Sequence, residues 1–320
     1  MQRVRIGESE AVFLENDEKD VLGYAVWYTI SRTLMHKDRL HAWFDKHGLS
    51  RFKLADPKHG DAFKRICSEY REKKIDESAE SETFLMLRPL ETGLTRKVVL
   101  EKRKEDKKLS YNVVREIAYD EKSRNVNYSL RTADPSVRDI VKEILDRFEN
   151  EKDCYTDEHI RKILHRILDS CNRVKLKPSD GIYFVPLDDF YLIERFSKVV
   201  EEIKKIDLGN RTEIWYAPIV NTERHRRMLK IKVEDTLEEI LNSAIERLLK
   251  IDSQDPSKVR QIDEIAKQIE HATRMAKNYT KMLKVSLNRT TSLLEKAERL
   301  LNKIRQIQFS QIEVKVKSTA

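Results

Sequence analysis

Glycine and proline are scarce in this chain, with seven of each in 320 residues, so there are few places for tight turns. Glycine supplies positive-φ positions and lets backbone approach a phosphate closely. Here Gly7, Gly23, Gly48, Gly60, Gly93, Gly181 and Gly209 stand singly, and neither GxxxxGK[ST], GxGxxG nor GxSxG occurs. HExxH and the DxDxDG calcium loop are missing too. Nucleotide-dependent enzymes and hydrolases of those classes therefore find no support. Cysteine is equally sparse: Cys67, Cys154 and Cys171 are odd in number, far apart and in no CxxC spacing. That excludes a disulfide framework or a cysteine zinc site and leaves reduced thiols. No run approaches the roughly 18 apolar residues of a membrane span. Met1-Gln-Arg-Val-Arg-Ile6 is not followed by the apolar run of a signal peptide. The expectation is a cytoplasmic protein with no membrane partner.

What the chain has in quantity is charge. Sixty-three Lys+Arg against 55 Asp+Glu make it 37% charged and only 39% hydrophobic, with a formal charge of +8. A typical domain is about 25% charged, and this excess favours long two-faced helices with wet outer surfaces. Richness in Lys, Glu, Arg and Ile is thermophile-like.

The patterning points to an α+β protein in three stretches. Residues 1–75 read as an N-terminal helical region. Val21, Leu22, Ala25, Val26, Tyr28, Ile30 and Leu34 approximate a helical period from Glu18 to Met35, with Asn16 and Asp17 as candidate caps. A short helix from Lys37 to His47 carries Leu40, Trp43 and Phe44, and Gly48 follows as a left-handed terminator. Asp56-Pro57 opens a third helix, with Ala62, Phe63, Ile66 and Tyr70 on one side. Lys73 to Ser81 reads as a polar linker.

Residues 82–220 read as an α+β domain. The period switches to two in Thr83–Arg88, Arg96–Lys102, Leu109–Ile117 and Asn125–Leu130, and the short connections predict an antiparallel meander. Helices follow from Asp134-Pro135 to Glu149 and from Thr156-Asp-Glu158 onward. A strand Gly181–Pro186, a helix to about Ile206 and a strand Ile214–Pro218 complete the stretch. The order of these elements is compatible with a winged helix and with many other α+β domains.

Residues 226–310 read as an antiparallel helical hairpin, or coiled coil. Val233, Leu237, Ile240, Ala244, Leu248 and Ile251 form the seam of its first helix, and Asp252–Ser257 stops it. The second seam runs through Ile262, Ala266, Ile269, Ala272, Ala276, Tyr279, Leu283, Leu287, Leu294, Ala297, Leu301 and Ile304, with Thr290 at its one polar step. At 1.5 Å per residue the two helices measure about 35 and 75 Å. About half of the longer one then needs another partner, in this chain or in a second copy.

No residue cluster dictates a reaction or a metal site. Asp157-Glu158-His159 and Asp188-Asp189 lie at helix starts, where acids complement the helix dipole. His36, His41 and His47 are spaced by five and six, so all three cannot share one helical face. A metal-dependent nuclease would draw on Asp188, Asp189 and Glu194. No cofactor is implied.

The basic residues carry more information. Residues 257–317 hold 14 Lys+Arg against 6 Asp+Glu, an excess equal to the charge of the whole chain. No acid occurs between His271 and Leu294, and Arg274, Lys277, Lys281 and Lys284 recur at three- and four-residue steps, with Arg289 beyond. Like charges at such spacing repel and a solvated helix face normally alternates in sign. A stripe of about 15 Å suits a phosphate backbone, bound with strong salt dependence. Ordinary solubilising lysines are the competing explanation. Further bases surround it: Arg161, Lys162, Arg166, Arg173, Lys175 and Lys177; Arg224, Arg226 and Arg227 with Lys230 and Lys232; and seven between Arg96 and Lys108. Tyr111, Tyr119 and Tyr128 are candidate stacking residues if exposed.

Gly181-Ile-Tyr-Phe-Val-Pro186, preceded by the helix Ile160–Cys171 and followed by a terminal helical hairpin, resembles a family of uncharacterised phage, prophage and plasmid proteins. Val26-Trp27-Tyr28 fits the same layout. The resemblance implies a mobile-element context and no activity. The function expected is non-enzymatic nucleic-acid binding, DNA before RNA, through Arg274, Lys277, Lys281, Lys284, Arg289, Arg224, Arg226, Arg227, Lys175 and Lys177. The alternative is assembly, in which the long helix pairs with a second copy or another protein.

Overall fold

Strand-forming residues are spread through the first two thirds of the chain, and helices of 25 residues or more are confined to the end. A computed structural model describes residues 2–6, 9–13, 21–78, 81–90, 93–104, 109–128, 135–177, 179, 181–206, 211–251 and 258–318. The fold is α+β, and every strand pair among the described residues is antiparallel. The chain divides into two units, one of residues 1–29, 165–201 and 211–320, the other of residues 30–164 and 202–210.

The second unit is built on five strands in sequential order: β5 (Lys73–Ser78), β6 (Ser81–Pro89), β7 (Thr95–Lys104), β8 (Leu109–Asp120) and β9 (Asn125–Tyr128). This is the expected meander with one strand more. The segment from Lys73 is an edge strand and not a linker. Its charges belong to an edge, where they discourage further pairing, and Lys74 Nζ reaches Glu82 Oε1 at 2.6 Å across the ladder. Leu85, Leu87, Val98, Ile117 and Tyr119 pack with α2 (His59–Glu69) and α3 (Pro135–Glu151) through Phe63, Ile66, Val137, Ile140, Val141, Ile144 and Phe148. α2 starts two residues later than Asp56-Pro57 suggests, because the Asp56 carboxylate takes a hydrogen bond from Lys37 Nζ at 2.7 Å instead of capping the helix. β4 (Leu34–His36) pairs with β10 (Cys154–Thr156), and α1 (Lys37–Lys46) ends, as expected, just before Gly48 at φ 68°.

The first unit contains β1 (Gln2–Ile6) paired with β2 (Ser9–Phe13), and a four-stranded sheet. In that sheet β11 (Val174–Lys175), β12 (Ile182–Pro186), β3 (Val21–Thr29) and β13 (Glu213–Val220) lie in this order. The helix expected over Glu18–Met35 is therefore replaced by β3 and β4, while its candidate caps Asn16 and Asp17 lie outside the described residues. β3 is flanked by a strand on each side and is apolar on both faces, which hides the two-residue period. Its Val, Tyr, Trp and Thr content favours a pleated strand. Gly23, at φ +157°, allows a close approach: a Cβ there would lie 2.2 Å from the Val185 carbonyl oxygen.

One face of the sheet is covered by aromatic contacts. Tyr24 stacks on Phe190 with centroids 3.8 Å apart, and the Tyr28 hydroxyl lies 2.8 Å from His165 Nε2 in α4 (Asp157–Ser170). Phe190 precedes α5 (Tyr191–Ile206). The other face meets three helices, α6 (Glu223–Lys250), α7 (Val259–Leu283) and α8 (Asn288–Ser318). The single long helix expected beyond residue 257 is broken. Lys284 takes the left-handed conformation (φ 54°, ψ 42°), and α8 turns back against α6. A continuous helix would leave half its seam in water; turning back buries Ala297, Leu301 and Ile304 in the same core as Leu237, Leu241 and Ile269. Thr290 is not a seam filler: its hydroxyl donates to the Leu287 carbonyl at 3.1 Å where α8 begins. The helix opening at Asp134 and the helix stop at residues 252–257 lie outside the described residues.

Candidate nucleic-acid interface

Position on the bundle decides which bases are available. Tyr279 faces inward: its ring lies 6.2 Å from Phe184 and its hydroxyl donates to the Asn172 carbonyl at 2.8 Å. Complete burial raises the Tyr279 phenol well above its usual pKa, which keeps it a donor. At about 100° per residue, Arg274, Lys277 and Lys281 fall on the side of α7 opposite Tyr279. All three are exposed, as is Lys284, and none forms an ion pair among the described residues. Lys281 also lies in the last turn, at the negative end of the helix dipole, which favours a cation there.

α6 and α7 run antiparallel, with Arg247 Nη1 donating to Gln268 Oε1 at 2.9 Å. The first turns of α6 and the last turn of α7 thus share one end of the bundle. Arg224 is exposed there, also without an ion pair among the described residues. Arg227 is held by Glu223, and Arg226 Nε donates to Asn221 Oδ1 at 2.6 Å.

Other expected site residues do not belong to this surface. Arg289 bridges to α6, with Nη2 2.8 Å from Glu238 Oε2 and Nη1 3.2 Å from Asp235 Oδ1. It is a clamp between helices. Lys175 lies on β11 with Nζ 3.7 Å from Glu239, on the sheet side of the bundle, and the exposed Lys177 follows it. The α7 stripe points the other way, so these clusters do not share one face. Arg173 stacks over the Tyr183 ring at 4.4 Å and pairs with Asp169 at 2.9 Å. Between Arg96 and Lys108, Arg96 is buried and Arg103 is paired with Glu101 and Glu72.

The aromatic surface lies elsewhere than the tyrosines suggest. Tyr119 is in the core, Tyr128 is exposed on the short strand β9, and the Tyr111 side chain lies outside the described residues. Instead Ile182, Trp27 and Trp215 are direct cross-strand partners on three adjacent strands, and they are 38%, 38% and 51% exposed. Directly opposed residues project from the same face, so they form one apolar row. The strand-like run Ile214–Pro218 was its sequence signal; Trp27, in a segment that also satisfies a helical period, gave none. Trp215 and the exposed Tyr216 belong to β13, the edge of the sheet.

Several of the remaining candidates serve the fold, while Asp188 and Glu194 lie in the first turns of their helices. Asp189 Oδ2 accepts from Asn172 Nδ2 at 3.0 Å, His36 caps α1, His41 contacts the Tyr155 hydroxyl at 3.0 Å, and His159 Nδ1 accepts from the Thr156 N–H at 3.1 Å. Among the described residues no group of three His, Cys, Asp or Glu is arranged to hold a metal ion. In the second unit a cleft of about 550 Å³ is lined by Arg32, Arg65, Arg147 and Glu151. There charge is consumed in a chain: Arg65 to Glu151 at 2.5 Å, Glu151 to Arg147 at 2.9 Å, Arg147 to Glu69 at 2.8 Å and Glu69 to Arg32 at 2.7 Å.

The chain belongs to a protein family of unknown function (DUF6744), whose model matches residues 21–313. No curated protein and no solved structure matches it.

Proposed function

We propose that this protein binds nucleic acid through phosphate contacts on the outward face of α7, with DNA the preferred partner. The observation that supports the reading is the state of Arg274, Lys277, Lys281 and Lys284. Over this stretch four exposed cations stand without ion pairs among the described residues and without an acid in the sequence between them, whereas Arg227, Arg289 and Arg299 are each neutralised by acids. Mutual repulsion costs stability, and a polyanion relieves it. Arg224 extends the same end of the bundle; Arg289, Arg226 and Arg227 serve the fold. No catalytic step is part of this reading, and a mobile-element setting is compatible with it. Titrating labelled single- and double-stranded DNA over a salt series tests it: affinity falls steeply with salt, and the triple substitution R274E/K277E/K281E abolishes binding. Absence of binding by the intact protein at low salt overturns it.

A second reading, assembly with a protein partner, is favoured by a different observation. β13 is an eight-residue edge strand carrying the 51% exposed Trp215, with the half-exposed Tyr216 ring 4.8 Å from Phe190, the kind of edge to which another strand adds. W215A would then abolish partner binding and leave DNA binding unchanged.

A further inference from the structure

The joint between α7 and α8 has the properties of a hinge that a second copy of the chain can straighten. It consists of Lys284, Val285, Ser286 and Leu287, without glycine or proline, and no residue from Val259 to Ser318 is either one. Helices usually reverse at such breakers. Here the left-handed position is taken by a lysine, at φ 54°, which an L-residue with a side chain adopts at a cost.

The apolar seam meanwhile ignores the break. Ala276, Tyr279, Leu283, Leu287, Leu294, Ala297, Leu301 and Ile304 continue across the joint at three- and four-residue steps, with Thr290 between Leu287 and Leu294, and the heptad register shifts by one residue where Leu283 gives way to Leu287. All are buried or partly buried in the one core. Local sequence thus favours one continuous helix, and the bend is imposed from outside. What imposes it is α6: Glu234 Oε1 accepts the Arg289 N–H at 3.3 Å, and the Arg289 guanidinium spans Asp235 and Glu238. At the far end Arg305 Nη2 lies 3.8 Å from Asp263 on α7.

We infer that α8 is an exchangeable element, and that two copies of this chain form a dimer in which each α8 packs on the α6 and α7 of the other. Straightening the joint relieves the left-handed lysine and merges the two helices. The α6 acids and Asp263 of one copy then receive Arg289 and Arg305 of the other, so every contact of the monomer is remade. A second copy is the occupant because it alone carries that complementary set of residues. Exchange of an identical element across a strained hinge is an inexpensive route to dimers. The inference rests on neither function reading, since all its contacts lie within the bundle.

The test uses the full chain, unfolded in urea and refolded at high and at low concentration, with mass measured by light scattering. High concentration yields dimer, S286A (which favours helix at the joint) raises its fraction several-fold, and K284G (which relaxes the bend) lowers it several-fold. Chains carrying only D263C and chains carrying only R305C, both in a C154S background, are then refolded together and treated with a short bis-maleimide. The exchanged dimer gives a linked pair of one chain of each kind. Strictly monomeric wild type and S286A overturn the inference, as does a dimer that is indifferent to K284G and gives no 263–305 link.

Discussion

Glu234, only 3% exposed, accepts the backbone N–H of Arg289 at 3.3 Å, so a carboxylate on one helix satisfies an amide in the first turn of another. The first amides of a helix have no partner within it. Here the partner comes from a helix more than fifty residues earlier in the chain. Replacing Glu234 with Ala removes that acceptor and costs about 1–3 kcal/mol, the usual penalty for an unmade buried hydrogen bond. Urea unfolding of the variant would show a lower midpoint with an unchanged slope.

The α7 cations make a graded prediction. Each phosphate contact contributes about 0.7–0.9 to the slope of log affinity against log salt. Single substitutions of Arg274, Lys277 or Lys281 by Ala should each lower the slope by about that amount without lowering the unfolding midpoint, since each relieves like-charge repulsion. Arg289→Ala, by contrast, should lower stability and leave the slope unchanged, because its guanidinium is engaged by Asp235 and Glu238.

Gly23 is required by contact and not only by conformation. A methyl group there would lie 2.2 Å from the Val185 carbonyl oxygen and 2.8 Å from the Phe184 ring, so β3 and β12 would have to part. Gly23→Ala should destabilise the first unit by roughly 3 kcal/mol, at the upper end for overpacking. Thermal unfolding and the near-ultraviolet signal of Trp27 and Trp215 would report it.

His271 gives the bundle a pH dependence. Burial lowers its pKa below the usual 6.5; the Arg274 guanidinium lowers it further and Asp169 opposes. A histidine held below its unfolded value contributes stability that is complete above about pH 6.5 and is lost as pH falls through the folded value. Stability should therefore decline on acidification below that point, and His271→Gln should flatten the decline. Equal pH profiles for the two proteins would count against this role.

Much of the fold was legible because period and secondary structure coincide. The meander β6–β9 was legible from its short β-rich runs and tight polar connections, although Leu85–Leu87 and Val98–Val99 are apolar and buried at consecutive positions. α3 and α4 show their core stripe as Val137, Ile140, Val141 and Ile144, and as Ile160, Ile163, Leu164 and Ile167. β3 was not legible. With neighbours on both sides and apolar residues on both faces, it satisfies a helical period as well as a strand one. The candidate interface divided similarly: the charge of α7 was visible in the sequence, whereas Arg289 looked like one more member of the stripe until its acids on α6 were in place.

Composition and spacing by themselves determined an α+β chain with a basic, helical last third and an apolar seam at helical spacing, because these follow from residue identity and local period. Only tertiary structure decided that the seam bends at Lys284. A long helix has no local reason to stop at a lysine. It stops there because burying Ala297, Leu301 and Ile304 against α6, with Arg289 seated among three acids, outweighs four residues of lost helix.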